Sequence, residues 1–111
     1  MNLSINVENE SEQKIIVAIA GEIDAFTAPK LRETLDPLSI KEDLLLIIDL
    51  SDVSYMDSTG IGVFVGLFKG IKAKGGHLKL VGLSDRLTRL FDITGLADIM
   101  DINSEAESGV E

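Results

Sequence analysis

The sequence predicts one α/β domain over residues 1–111, with a mixed, mostly parallel sheet of four to five strands and three to four helices. Three observations carry that expectation. Short apolar runs alternate with segments of helical period from about residue 27 onward. The run "DLLLIIDL" (43–50) is apolar throughout, the signature of a strand covered by helices on both faces. A chain of 111 residues is also about the size that buries a single core.

Leu3–Val7 and Lys14–Ala20, the latter rich in Ile and Val, read as the two strands of an amino-terminal hairpin, with the polar "ENESEQ" between them as its turn. Thr27 is placed to cap a first helix whose opening turn holds Ala28 and Pro29, where proline loses no hydrogen bond. Leu31, Leu35 and Leu38 share one face, and Pro37 ends the regular helix just before it. The apolar run 43–50 is the next strand, followed by a loop over 51–57. A second helix spans Ser58 to about Lys74, with Ile61, Phe64, Phe68 and Ile71 as its buried stripe and Val65 beside it. Gly75-Gly76 stops that helix, and "HLKLV" (77–81) alternates as a strand. Ser84 caps a third helix carrying Leu87, Leu90 and Phe91, which Gly95 terminates. "DIMDI" reads as a short last strand and "SEAESGVE" as a terminal turn. In this arrangement the strand-to-helix segments "GEID", "SYMDST" and "GLSDR" share one rim, at the carboxyl ends of the strands.

Composition narrows the function. A formal charge of −9 and a pI near 4.4 argue against a nucleic-acid binder, which needs a basic face. The absence of cysteine excludes disulfides, thiolate zinc sites and cysteine nucleophiles. "MNLSINVENESEQ" lacks the features of a secretory signal, and Ile61–Phe68 is too short to span a bilayer. A soluble cytoplasmic protein is expected.

The stretch "SYMDSTGIGVF" (54–64) invites chemistry, and four readings compete for it. Asp57, Ser58 and Thr59 are all good helix caps, which is the plainest reading. An aspartic protease is rejected, because Asp57-Ser58-Thr59-Gly60 is one residue too long and the pattern is helix-rich. A serine hydrolase lacks a Gly-x-Ser-x-Gly elbow, and the only histidine, His77, opens a strand at the far end of the sheet. Asp24, Asp52 and Asp57 show no metal-ligand spacing. The fourth reading is a phospho-acceptor. A hydroxyl before a helix can enter a kinase without unfolding, and it then carries about −1.5 to −2 charges beside Asp57. The helix N-terminus is expected to stabilise that phosphate in part. Gly62, Gly66 and Gly70 recur every four residues, and close packing on the sheet is the expected reason, with Gly60 and Gly62 leaving the first turn approachable.

These segments resemble the anti-sigma factor antagonists, which are single STAS domains, and resemble most the branch that controls the bacterial general stress response. "GEID", "APKLRE", "DVSYMDSTGIGVFVG", "GGHLKL" and "LSDRLTRLFDITGL" carry the resemblance across almost the whole chain. It implies a regulator with neither cofactor nor catalysis, which binds an anti-sigma factor serine kinase and so frees a sigma factor. Phosphorylation at the position of Ser58 ends that binding, and a PPM-type serine phosphatase restores it. The resemblance places Asp24, Asp57, Ser58, Thr59, Gly60 and Ser84 on the docking surface, and implies a monomer when free. Two other readings stand beside it: a STAS subunit of a larger sensory complex, and a small-ligand-binding STAS module. The second of these lacks a Gly-x-Gly-x-x-Gly or Walker loop.

Overall fold

Strands β1 (Leu3–Ser11), β2 (Lys14–Ile23), β3 (Leu45–Met56), β4 (His77–Val81) and β5 (Asp101–Asn103) form one sheet in the order β1-β2-β3-β4-β5, in a computed structural model that describes residues 2–96 and 100–103. The β1–β2 hairpin is antiparallel and every later pair is parallel. Helices α1 (Ala28–Leu35), α2 (Ser58–Ala73) and α3 (Asp85–Ile93) make the crossovers, with a 3-10 helix over Asp36–Ile40 after α1. The expected mixed α/β sheet is therefore the one observed.

Because sequential strands always step the same way across the sheet, right-handed crossovers put all three helices on one face. Their buried side chains join a single cluster with Ile15, Val17 and Ile19 of β2, Leu46 and Ile48 of β3, and Leu78 and Leu80 of β4. Phe64 of α2 and Phe91 of α3 meet within it, with ring centroids 6.4 Å apart. The expectation of helices on both faces is corrected here. Ile47 is buried on the opposite face, between its register partners Ile16 and Lys79, outside the main cluster. No strand order reverses, so the crevice of a doubly wound sheet has no counterpart.

Other boundaries also differ from expectation. β1 and β2 pair as far as Ser11 and Lys14, so the turn is only Glu12-Gln13 rather than all of "ENESEQ". β3 continues through most of the expected 51–57 loop to Met56. α1 stops at Leu35, as Pro37 requires, and Leu31 and Leu35 are fully buried while Leu38 is partly so. In α2, Val63 and Leu67 join the buried stripe, and Val65 and Phe68 are only partly buried. Gly95 follows α3 at a positive φ of 78°, as a helix terminator should. The expected "DIMDI" strand is observed over Asp101–Asn103, while its first two residues, 98 and 99, and "SEAESGVE" lie outside the described residues. Among the described residues, no helix is long and apolar enough to cross a membrane.

Candidate functional site

The site is built by the unequal lengths of the strands. β4 pairs with β3 only as far as Asp49↔Val81, whereas β2 follows β3 to Ile23↔Met56. The β2–β3 pair therefore overhangs the sheet by Leu50–Met56, roughly 20 Å of strand at about 3.3 Å per residue. At its tip the Asp57 N–H donates to the Ile23 carbonyl at 3.3 Å, which joins the start of α2 to the β2–α1 loop. Asp24 and Ser58 are thus brought together at one tip. Ser84 stands at the shorter end of β4, so the expected common rim is stepped rather than level.

Asp57, and neither Ser58 nor Thr59, is the residue that caps α2. Its extended backbone lets Oδ1 accept from the Thr59 N–H at 2.9 Å and the Gly60 N–H at 3.4 Å. Two of the orphan donors at this helix end are consequently occupied. The helix N-terminus is expected to stabilise a phosphate on Ser58 in part, and these two of its amides are already engaged by Asp57. Ser58 is the first helical residue and is exposed, and its hydroxyl makes no hydrogen bond to a described residue. Thr59 is half-buried. Gly60 is buried because a Cβ there would lie 2.6 Å from Met56 Cγ and 2.8 Å from Ile23 Cγ2. It fixes the helix start against the strand tip rather than presenting a surface. Gly62 and Gly66 are not packed on the sheet as expected: both are exposed, a Cβ on either would meet nothing within 4 Å, and Gly62 leaves the first turn approachable. Gly70 alone of that spacing faces a close neighbour, Ser39.

The loop after β2 is also held from within. Asp24 is 7% exposed, and its Oδ1 accepts from the Phe26 N–H at 2.9 Å and the Thr27 N–H at 3.0 Å. Thr27 occupies the expected cap position of α1 but makes no side-chain cap. Its hydroxyl instead donates to the Glu22 carbonyl at 2.8 Å and accepts from the Asp24 N–H at 2.9 Å. The Asp24 carboxylate holds the turn that leads into α1, so Asp24 shapes the loop from inside it. What the loop does present is Phe26, 80% exposed. Sequence reasoning passed over Phe26; its signal was an aromatic side chain inside "GEIDAFTAP", where nothing apolar repeats at helical or strand spacing. Ser84 caps α3 as expected, its Oγ accepting from the Leu87 N–H at 3.2 Å. His77 pairs with Leu45, at the opposite end of β3 from Met56. No group of three or more His, Asp or Glu side chains that could hold a metal ion occurs among the described residues.

Loss of the α2 cap has a measurable size. Asp57→Ala is expected to lower the unfolding free energy by about 1 kcal/mol in urea denaturation, whereas Asp57→Asn, which also caps, stays within a few tenths of wild type.

Comparison with known proteins agrees with this architecture. The STAS domain family matches residues 5–109. The anti-sigma-B factor antagonist of Bacillus subtilis is 58% identical over 111 residues, covering 100% of each chain. A crystal structure of an anti-sigma factor antagonist from Thermotoga maritima superposes with a TM-score of 0.80 at 25% identity, covering 89% of this chain and 85% of that one. The phosphorylated form of the Bacillus cell fate determinant SpoIIAA shares the fold, with a TM-score of 0.74 at 20% identity, over 96% of this chain and 94% of that one.

Proposed function

The chain belongs to the STAS domain family, and from that premise we propose that it acts as an anti-sigma factor antagonist switched by phosphorylation of Ser58. In the unmodified state it binds an anti-sigma factor, itself an ATP-dependent serine kinase, and the sigma factor held there is released. Phosphorylation of Ser58 by that kinase ends the complex, and a PPM-type phosphatase restores it. The free protein is a cytoplasmic monomer in this reading, and it carries out no catalysis of its own.

The observation that supports this most is the singling out of the Ser58 hydroxyl. Around it Asp57 is committed to the helix cap, Thr59 is half-buried and Gly60 is packed against Ile23 and Met56. Of residues 57–60, Ser58 alone is exposed, and its hydroxyl makes no hydrogen bond to a described residue. A phosphate added there meets no vacant amide at Thr59 or Gly60 and stands beside the Asp57 carboxylate. It therefore projects outward, and its charge of about −1.5 to −2 acts on whatever is docked at the tip. The relative with a phosphorylated form, SpoIIAA, keeps the same fold, which agrees with a switch that needs no refolding.

The direct test incubates the protein with its anti-sigma factor and ATP and locates the modification by mass spectrometry. One phosphate on Ser58, removed by a PPM-type phosphatase and missing from Ser58→Ala, is the expected result. Undiminished transfer to Ser58→Ala would overturn the assignment.

A further inference from the structure

We infer that Phe26 is the apolar anchor by which the anti-sigma factor grips this protein, and that Asp24 holds it in position; the inference rests on the proposed antagonist function. A single exposed aromatic residue is not unusual by itself. Three features set Phe26 apart. The first is its place. The backbone register Ile23↔Met56 and the Asp57-to-Ile23 hydrogen bond put its loop against the start of α2, where Ser58 is exposed. The other large hydrophobic side chains more than half exposed, Ile40 and Ile93, close the 3-10 helix and α3, at the end of the sheet where β3 begins. Phe26 is thus continuous with the surface that phosphorylation would alter, and they are not.

The second feature is rigidity. Residues 22–28 are tied by Asp24 Oδ1 to two backbone amides, by Thr27 Oγ1 to two further backbone groups, and by the Ala28 N–H to the Asp24 carbonyl at 2.8 Å. Ile23, Asp24 and Thr27 are turned inward and buried, and Phe26 is 80% exposed. A side chain held out before binding loses little conformational freedom when it enters a pocket. Aromatic residues of this kind supply the large central contacts of interfaces.

The third is the surrounding charge. The two segments that build the tip, residues 21–28 and 50–62, contain no Lys, Arg or His and carry Glu22, Asp24, Asp52 and Asp57, and the next cation along the chain, Lys30, donates to the Leu3 carbonyl at 3.2 Å. The surface that fits them is an apolar pocket with a basic rim on the anti-sigma factor. A phosphate on Ser58 would then stand at the edge of that pocket, next to the anchor, where excess negative charge interferes most with its closure.

The test uses the full chain and the purified anti-sigma factor in surface plasmon resonance, with circular dichroism melting as the control for folding. Phe26→Ala is expected to weaken the complex roughly 10- to 100-fold, mainly through faster dissociation, with the melting temperature unchanged because the side chain is 80% exposed. Phe26→Tyr is expected to restore most of the affinity. Asp24→Asn, which keeps an acceptor oxygen for the two amides, should bind close to wild type, while Asp24→Ala should lose affinity with Phe26 still present. If Phe26→Ala binds within twofold of wild type while Ser58→Asp is weakened by roughly 30-fold or more, the anchor is refuted and the phosphorylation switch stands. If Asp24→Asn loses as much as Asp24→Ala, the carboxylate acts by its charge and the positioning role falls. If wild type itself does not bind the anti-sigma factor, both readings fall together.

Discussion

Ser58→Asp is expected to weaken binding to the anti-sigma factor by roughly 30- to several-thousand-fold, while Ser58→Ala keeps it within a few-fold of wild type. The magnitude follows from placing an unmatched charge in an interface, which costs about 2–5 kcal/mol, with each 1.4 kcal/mol equal to a factor of ten. Aspartate carries one charge where a phosphate carries nearly two, so the variant belongs at the lower end of that range. Alanine removes a hydroxyl that makes no hydrogen bond to a described residue, so neither the fold nor the cap at Asp57 is disturbed. Calorimetric titration at two ionic strengths is the measurement. The ratio between the two variants should shrink as salt rises if the charge sits at a solvated rim, and hold if it is buried. Equal affinities at low salt would remove electrostatics as the gate.

Gly60→Ala and Gly62→Ala, two residues apart on one helix, are expected to change stability in opposite directions. At Gly60 the new methyl would sit 2.6 Å from Met56 Cγ and 2.8 Å from Ile23 Cγ2. Overfilling of this kind costs about 1–3 kcal/mol. It would also push the first turn of α2 off the strand tip, so the position of Ser58 moves with it. At Gly62 the methyl meets nothing within 4 Å, and alanine there should stabilise the helix by about 0.5–1 kcal/mol. Urea denaturation of the two variants reads the difference directly. A neutral Gly60→Ala would mean that the helix start is free to shift, contrary to its packing against both strands.

The order of strands and helices was legible in the sequence because each helix carries an apolar stripe and each inner strand an apolar run. The unreadable parts have physical reasons. β3 runs on to Met56 through Ser51, Asp52 and Ser54 because past Asp49 it pairs with β2 alone, and the polar side chains face water. β1 is an edge strand whose residues from Val7 to Ser11 are exposed, so no alternation marks it and "ENESEQ" reads as a turn. Continuous burial in β3 does not require helices on both faces, since Ile47 is buried without joining the helical core. At the site, the sequence pointed to Ser58 but could not rank three adjacent capping residues. Their roles depend on where β3 ends, and it ends at Met56. Asp24 looked like a surface carboxylate because its partners are backbone amides, which a side-chain pattern does not display.

In the proposed switch, the Asp57 cap also bears on how the protein would be reset. A signalling ester that nestled among backbone amides would be sheltered, and the enzyme that hydrolyses it would first have to prise it out. Here the carboxylate fills that socket in advance, so in the proposed switch an ester on Ser58 would stand in water, as easy to erase as to write.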